Sequence, residues 1–326
     1  MIKFTLRAWA IALAAMLAIG PATAQQYPDK PIQIIVPWPP GAVDVYIRIV
    51  QAFAEKALGK PLIVQNRGGA NGALGTEFVA RSKPDGYTLL FNVTSSAVMA
   101  PLTTNTAKFD IQKDFVPITD FFDSPLLLVV RKDFPANTLA ELIDYGRKNQ
   151  GKLNFGSPGS GSAIHVTGEA FAKAIGVKMT HVPYKGFAPE VQALMGGELD
   201  MGFIATGTIR TQAASGAVKA IGMSIGASPA DLPKVPDLSK VVPGFSPIPI
   251  FAGLWAPAGT PKDIVDQLNK VITDALKTPE IRNKIAEGGQ IPLGRSVAET
   301  AKAVAENVEL SARLVNEARA AGASFE

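Results

Sequence analysis

The sequence predicts an α/β protein of two domains, each a sheet flanked by helices. A length of 326 residues suits about two domains of ordinary size. Short apolar runs, typical of strands buried on both faces, alternate with segments whose apolar residues recur every three or four positions, as on helices. Hydrophobic residues make up 47% of the chain and charged residues 18%, which favours a large core and excludes a disordered chain.

The first part of the chain predicts a β-α-β-α-β unit. A helix opens at Asp44 and ends before Gly59 and Pro61, which are typical stop signals. Strands that alternate with helices in this way indicate a parallel sheet with right-handed crossovers. The predicted strands cover residues 32–36, 62–65 and 87–91, and the second predicted helix covers residues 73–82.

The second part of the chain repeats the alternation. Thr138 and Glu141 have the spacing of a capping box at a helix start. Residues 228–249 are rich in proline and predict an irregular segment. Predicted strands cover 125–130, 153–155, 180–182, 201–204 and 220–224, an apolar run covers 251–256, and predicted helices cover 138–148, 164–175, 189–195, 261–276, 279–286 and 297–320.

The chain is expected to pass twice between the two domains. The crossings are predicted near Ser124 and Pro125 and again near Pro249 and Ile250. The last helices then return to the first domain, which comprises residues 25–124 plus 250–326, and residues 125–249 form the second. Two crossing segments beside a cleft make an architecture that can close around a small ligand.

Residues 1–24 have the pattern of a cleavable signal peptide. Lys3 and Arg7 precede an apolar run over residues 8–19, which is shorter than the roughly 20 residues that span a bilayer. Ala22 and Ala24 form a small-residue cleavage site before Gln25. We therefore expect an exported protein of the bacterial periplasm, and the absence of cysteine agrees with a fold that needs no disulfide.

Composition excludes several classes of site. Without cysteine there is no thiolate nucleophile and no cysteine-bound zinc or iron–sulfur cluster, and two histidines are too few for a metal centre built from histidine alone. A net charge of +4 is too small and too scattered for nucleic-acid binding. The dinucleotide, phosphate-loop, nucleophile-elbow and zinc-protease motifs are all missing. We expect no metal, no cofactor and no catalysis.

Two turns between a buried strand and a helix are candidate anion sites. The first covers residues 37–44 and is stiffened by prolines, and the second covers the glycine- and serine-rich residues 156–162. Free N–H groups and a partial positive charge at a helix start favour a carboxylate. Asp44 is interpreted mainly as an N-cap. His165 is either a structural histidine or a donor in the cleft, and His181 is interpreted as structural.

Several motifs together resemble one protein family. They are YPDKPI at 27–32, IVPWPPG at 35–41, VQNR at 64–67, PDGYTLL at 84–90, SPGSGSAIH at 157–165, HVPYKG at 181–186 and APAGTP at 256–261. These motifs are similar to those of the Bug family, the periplasmic solute-binding proteins of tripartite tricarboxylate transporters. The similarity runs through nearly the whole chain after residue 24.

The resemblance implies a two-domain periplasmic-binding-protein fold, type II-like, with the ligand in a cleft between the domains. It further implies a monomer that binds a small carboxylate, such as a dicarboxylate or an aromatic acid, and that meets large and small permease subunits in the membrane. The residues expected to bind the ligand are Trp38, Pro40, Gly41, Ala42, Asp44, Asn92, Thr94, Ser157, Gly159, Ser160, Gly161, Ser162, Ala163, His165, Tyr184 and Thr206.

Some positions depart from the family pattern. The first loop, ending at Asp44, is one residue shorter than usual, Phe187 replaces a small residue, and the loop over residues 204–208 lacks a common asparagine. A less polar cleft favours an aromatic or longer-chain carboxylate over citrate. Two other functions stay open: a ligand sensor for a two-component system, and a secreted hydrolase with a Ser/His pair from residues 157–165.

Overall fold

The computed structural model describes residues 27–41 and 43–325, so the predicted signal peptide and Ala42 lie outside the described residues. Strands in this part of the chain form two separate sheets. The strands are β1 (Ile32–Val36), β2 (Leu62–Asn66), β3 (Thr88–Val93), β4 (Phe115–Asp123), β5 (Leu126–Arg131), β6 (Leu153–Ser157), β7 (Met179–Pro183), β8 (Met201–Ala205), β9 (Val218–Met223), β10 (Phe251–Pro257) and β11 (Ile291–Pro292).

Helices cover both sheets. They are α1 (Asp44–Leu58), α2 (Ala73–Ala80), α3 (Ala100–Thr103), α4 (Leu139–Lys148), α5 (Ala163–Ile175), α6 (Phe187–Gly196), α7 (Thr206–Ala214), α8 (Leu238–Val241), α9 (Lys262–Lys277), α10 (Pro279–Glu287) and α11 (Val297–Ala320), with a 3₁₀ turn at Ala70–Gly72 and a π-helical turn at Ser95–Met99. Among the described helices, none combines the length and the apolar character needed to cross a membrane.

The first sheet has the strand order β11-β4-β10-β3-β1-β2. β1 pairs in parallel with β2 and β3, and β10 runs antiparallel to β3 and β4. Its core includes the fully buried side chains of Ile34, Phe91 and Leu254, with α1 and α9 packed over one face. Both faces of these strands are covered, which explains their nearly continuous apolar sequence.

The second sheet has the strand order β7-β6-β8-β5-β9. β6 pairs in parallel with β7 and β8, whereas β5 is antiparallel to β8 and β9. Phe155, Phe171 and Phe203 fill one face of it and are fully buried. Each sheet therefore has its own core and flanking helices, which confirms the predicted α/β fold class.

The two sheets are built from different parts of the chain. β1 to β4 and β10 to β11 belong to the first sheet, and β5 to β9 belong to the second. The chain leaves the first sheet between Asp123 and Leu126 and returns between Met223 and Phe251. The helices α9, α10 and α11 after the return pack against α1 and β4.

The strand β4 was not predicted from the sequence. Proline is normally excluded from central strands because it cannot donate to the ladder, and β4 contains Pro117. The strand tolerates it because its pairing with β10 is interrupted by two register shifts. Smaller differences concern ends: β9 covers Val218–Met223 rather than 220–224, and α6 begins two residues earlier than predicted. At α4, the Thr138 side chain accepts from the Glu141 N–H at 3.2 Å, which confirms that cap.

Candidate functional site

The first candidate loop follows β1 and leads into α1. Trp38 is half-buried, whereas Pro40 and Gly41 are exposed. Gly41 has a φ of +155°, a conformation that other residues rarely adopt, and nothing lies within 4 Å of the position its Cβ would take. The loop therefore presents open backbone beside the start of a helix.

Asp44 does not cap α1 in the way predicted. It is the first helical residue, and its carboxylate turns back to accept from the Gly41 N–H at 2.7 Å and from Arg48 Nε at 2.9 Å. Burial opposes ionisation of Asp44, but these two donors outweigh it and lower the pKa of its carboxyl. Asp44 is therefore ionised and neutralised by Arg48, and it fixes the shape of the first loop.

Trp38 and Asn92 belong to one buried hydrogen-bond chain. The Trp38 indole N–H donates to Ser96 Oγ at 3.1 Å, and Ser96 Oγ donates to the Asn92 carbonyl oxygen. Asn92 also donates to Thr76 Oγ1 at 3.0 Å. Ser96 and Thr76 were not predicted as site residues, and no sequence signal marks them, because the contacts join three separate segments. The chain holds the Trp38 ring in place beside the first loop.

Thr94 and Thr206 lie at the two crossings. Thr94 Oγ1 accepts from the Phe251 N–H at 2.9 Å and donates to the Pro249 carbonyl oxygen at 3.2 Å. Thr206 Oγ1 donates to the Pro125 carbonyl oxygen at 2.7 Å. Both threonine side chains are fully buried, so they fasten the crossings to the sheets.

The second candidate loop follows β6 and leads into α5. Ser162 is the N-cap of α5, and its side chain accepts from the His165 N–H at 3.2 Å. Within the described residues, no hydrogen bond takes up the N–H groups of Ala163 and Ile164. Two unpaired donors at the positive end of a 13-residue helix are suited to an anion.

Two stacked imidazoles lie under this loop. The rings of His165 and His181 are 3.5 Å apart between centroids and inclined by only 9°. His165 is 1% exposed, and its Nδ1 accepts from the Gly161 N–H at 3.1 Å, so the proton of neutral His165 is on Nε2. Burial and the neighbouring His165 lower the pKa of His181 to about 3. The lowered pKa keeps His181 neutral near pH 7, so it stacks on His165 without a charge of its own.

Ser157 contacts His181 and not His165. Its hydroxyl donates to the Gly159 carbonyl oxygen at 2.9 Å, and its oxygen lies 2.7 Å from His181 Nε2. The tautomer of His181 decides which of the two atoms, Ser157 Oγ or His181 Nε2, is the donor. The Ser/His contact therefore joins Ser157 to His181 on the neighbouring strand, and not to His165 of its own loop as the sequence suggested.

The remaining predicted residues flank the second loop. Gly159, Ser160 and Ser162 are half-buried, whereas Gly161 and Ala163 are buried. Tyr184 donates its backbone N–H to the Ser157 carbonyl oxygen at 2.9 Å. Its half-buried ring packs against a second apolar cluster, which includes Leu127 and Leu194 and lies on the face of the second sheet opposite Phe155. Phe187, at the start of α6, is half-buried against the clusters on both faces of the sheet.

Each candidate loop, or the helix that follows it, lies next to a contact between the two domains. Thr103 of α3 donates to the Gly161 carbonyl oxygen at 3.2 Å. On the other side, Gly288 packs tightly between Tyr46 of α1 and Gly207 of α7. A methyl group added at Gly288 would lie 2.7 Å from the Tyr46 hydroxyl, and one added at Gly207 would lie 1.9 Å from the Gly288 carbonyl oxygen. The two helix starts, α1 and α5, thus lie in different domains, and each is adjacent to a domain–domain contact.

Acidic and histidine side chains do not gather into a metal site in the part of the chain that the structure describes. The polar groups of both loops are backbone N–H groups, hydroxyls and an already neutralised carboxylate. That donor set favours an organic anion over a cation.

Comparisons with known proteins point to one family. Residues 46–319 match the family model described as the tripartite tricarboxylate transporter family receptor, TctC. Protein BugT of Bordetella pertussis is 32% identical over 301 residues, which cover 91% of this chain and 92% of BugT.

Solved structures agree with the observed architecture. MatC of Rhodopseudomonas palustris with bound malate is 29% identical, with a TM-score of 0.75 over 89% of this chain and all of MatC. A protein of R. palustris with adipate is 26% identical, with a TM-score of 0.77 over 89% of this chain and 98% of that one. The two-domain binding-protein architecture is therefore shared.

Proposed function

The chain belongs to the tripartite tricarboxylate transporter receptor family, and we propose that it captures one small organic carboxylate between its domains and delivers it to the membrane permease of such a transporter. The match confirms the resemblance to the Bug family. The relatives are binding proteins, and two related structures carry malate and adipate.

The start of α5 is the observation that carries this proposal. Ala163 and Ile164 offer unpaired N–H groups, and Ser160 is half-buried at the edge of the same loop. A carboxylate oxygen that accepts from such donors gains about 1.5–3 kcal/mol per hydrogen bond. Three or four such bonds supply roughly the 8 kcal/mol of micromolar binding.

The predicted site residues divide into two roles. We assign direct contact with the ligand to Trp38, Pro40, Gly41, Gly159, Ser160, Ser162 and Tyr184, which are exposed or half-buried, and to the backbone N–H of buried Ala163. Ala42 lies outside the described residues, and its contact with the ligand stays an expectation from the sequence. The side chains of Asp44, Asn92, Thr94, Ser157, His165 and Thr206 are held by internal hydrogen bonds, and Gly161 donates its N–H to His165, so we assign these residues to positioning.

The charge of the site limits the ligand class. Asp44 is neutralised by Arg48, and the second loop contains no lysine or arginine. One helix start in each domain carries about +0.5 elementary charge, so the two together balance about one carboxylate, and the further carboxylates of citrate would lack a positive partner. An aromatic acid or a longer-chain dicarboxylate is the proposed ligand, and Phe187 adds apolar surface near the second loop.

Calorimetry with adipate, malate, citrate and benzoate tests this ligand class. The expected result is micromolar or tighter binding of adipate or benzoate, with citrate at least tenfold weaker. Strong binding of citrate alone would overturn the ligand class, and binding of none of the four acids would overturn the carboxylate proposal.

A proline at the first position of α5 tests the role of its N–H groups. Ala163→Pro deletes one donor at the helix position that best accepts proline, and Ser162 already has the extended conformation that precedes proline. We expect about 10- to 100-fold weaker binding of adipate, because one hydrogen bond to a charged group is lost. The matched control is Val297→Pro at the first position of α11, which follows the N-cap Ser296. Equal affinity of both variants, with unchanged thermal unfolding, would contradict the assignment.

We also propose that the protein is exported to the periplasm after cleavage behind residue 24, acts as a monomer, and closes by moving residues 125–249 relative to residues 25–124 plus 250–326. Mass spectrometry of the protein recovered from the periplasm gives its first residue, and an uncleaved chain would contradict the export proposal. Small-angle scattering with and without the bound acid measures both closure and molecular mass.

A further inference from the structure

The end of the chain packs into the second domain. After α11, Gly322 adopts a φ of +98° and reverses the backbone, which brings Phe325 back to the start of α5. Phe325 is 6% exposed and belongs to an apolar cluster with Met99 and Leu314 from the first domain and Ala163 and Val166 from the second.

Phe325 contacts the second loop from beneath. Its ring meets the His165 ring edge-to-face, with centroids 5.1 Å apart and an angle of 72°. A Cβ at Gly161 would lie 3.5 Å from the Phe325 Cβ, so the backbone of the loop rests directly on this side chain. Ser160 Oγ also reaches the Ser324 carbonyl oxygen at 3.5 Å.

His165 transmits this contact to the loop. One face of its ring lies flat on His181, the Phe325 ring meets it edge-to-face, and its Nδ1 accepts from Gly161. Gly161 has a φ of +70°, and its carbonyl oxygen accepts from Thr103. The orientation of His165 therefore decides the backbone conformation of the loop immediately before Ala163.

We propose that Phe325 is a positioning residue for the second loop: it holds His165 against His181, and His165 in turn holds Gly161 so that the N–H groups at the start of α5 face the ligand. This inference rests on the proposed carboxylate function. The affinity of the site then depends on a side chain that never touches the ligand.

A purely structural role for Phe325 would have different consequences. If its only role were to bury apolar surface, its loss would lower stability and leave the Gly161–His165 hydrogen bond and the affinity unchanged. The charged groups near the contact are Arg319, 5.5 Å from the Phe325 ring centre, and Glu169, 3.6 Å from His165 Nε2. A substitution at Phe325 leaves both charged groups in the chain but removes the contact of Arg319 with the ring.

The experiment compares Phe325→Ala and Phe325→Leu in the full mature chain with Leu74→Ala, an apolar substitution at an exposed position of α2 in the first domain. Calorimetry with adipate gives the affinity. Nitrogen-15 NMR gives the Gly161 amide shift and the protonation of His165 Nδ1. We expect Phe325→Ala to bind adipate about tenfold more weakly and to shift both signals, Phe325→Leu to recover most of the affinity, and Leu74→Ala to resemble the wild type.

Unchanged affinity and unchanged Gly161 and His165 signals in Phe325→Ala would overturn the inference. If the wild type binds no acid, the proposed function fails, and the two NMR signals alone decide about Phe325. If Phe325→Ala does not fold, Phe325→Val replaces it in the same comparison, and failure of Phe325→Leu to recover the signals would count against the proposal.

Discussion

The backbone N–H of Ser124 donates to the carbonyl oxygen of Ile250 at 2.7 Å, so the two crossings between the sheets are hydrogen-bonded to each other. Thr94 fastens the second crossing on one side, and Asn307 Nδ2 donates to the Pro249 carbonyl oxygen at 2.7 Å on the other. The two crossings therefore form one hydrogen-bonded pair that buried side chains hold in place, and we propose that this pair is the hinge of closure.

Thr94→Val is expected to destabilise this hinge. The substitution keeps the shape of the side chain but leaves the buried Phe251 N–H without an acceptor, which costs about 1–3 kcal/mol of unfolding free energy. Denaturant unfolding measures the loss. Thr106→Val, at an exposed threonine, is the control and should change stability by less than about 0.5 kcal/mol. Equal stability of the two variants would contradict the role of Thr94.

Gly207→Ala is expected to force the domains apart. Its new methyl group would lie 1.9 Å from the Gly288 carbonyl oxygen, so one domain must shift at a cost of about 1–3 kcal/mol. Small-angle scattering should show a larger radius of gyration, and adipate should bind more weakly. The control, Gly196→Ala, adds the same methyl group to a helical glycine with nothing within 4 Å. A Gly207→Ala protein with unchanged scattering and affinity would contradict the prediction, because the Gly207–Gly288 contact would then have adjusted locally without moving a domain.

Glu190 is a buried acid without a partner. It is fully buried, neither carboxyl oxygen has a hydrogen bond, and a Cβ at Gly156 or at Gly202 would lie within about 3 Å of its side chain. The two glycines face each other in adjacent strands and leave room for the carboxyl group. Burial raises the pKa of Glu190 to about 8, so the group is mostly neutral at pH 7.

Glu190 should make the protein less stable at alkaline pH. The pKa of Glu190 is about 8 in the folded protein and near 4.5 in the unfolded chain. Its contribution to the free energy of unfolding is therefore complete below pH 4.5 and is lost as the pH rises through about 8. The full loss is on the order of 3–5 kcal/mol. Glu190→Gln should remove most of this dependence between pH 5 and 9 in denaturant unfolding, whereas Glu198→Gln, at an exposed position after the same helix, should keep it. Identical pH profiles of wild type and Glu190→Gln would refute the prediction.

His181 should make the protein less stable at acid pH, the opposite of the effect of Glu190. Its pKa is lowered to about 3 by burial first and by His165 second, so its stabilising contribution is complete above about pH 6.5 and is lost as the pH falls towards 3. Because His181 is only partly buried, we expect a loss on the order of 1–2 kcal/mol. Proton NMR follows both imidazoles of the chain, and a His181 ring that titrates near pH 6.5 would contradict the stacked arrangement.

Sequence patterns were sufficient where one local signal decides the structure. The apolar run of β1 and the cap at Thr138 predicted their elements correctly, because burial and capping act within a few residues. The irregular conformation of the segment between β9 and β10 was also predicted from local composition, because residues 228–249 are rich in proline.

Side-chain contacts between residues far apart in the chain could not be predicted from the sequence. Asp44 and Arg48 have the i,i+4 spacing of a local helix pair, whereas the contact of Asp44 with the Gly41 N–H depends on the turn before the helix. Ser157 and His181 meet because β6 and β7 are neighbours in register, which depends on the whole second sheet. The position of Phe325 depends on the packing of α11 against both domains, a relationship that no local periodicity encodes.

The positions of the tryptophans make intrinsic fluorescence a useful probe of this protein. Of the three tryptophans in the sequence, Trp38 and Trp255 lie in the described part of the chain. Trp255 is fully buried in β10 with its indole N–H unpaired, so its emission is shielded from solvent and from the cleft. Trp38 is half-buried beside the first loop and bonded to Ser96. We therefore expect a change in fluorescence on adding an acid to report mainly on Trp38 and the first loop, so that no dye has to be attached.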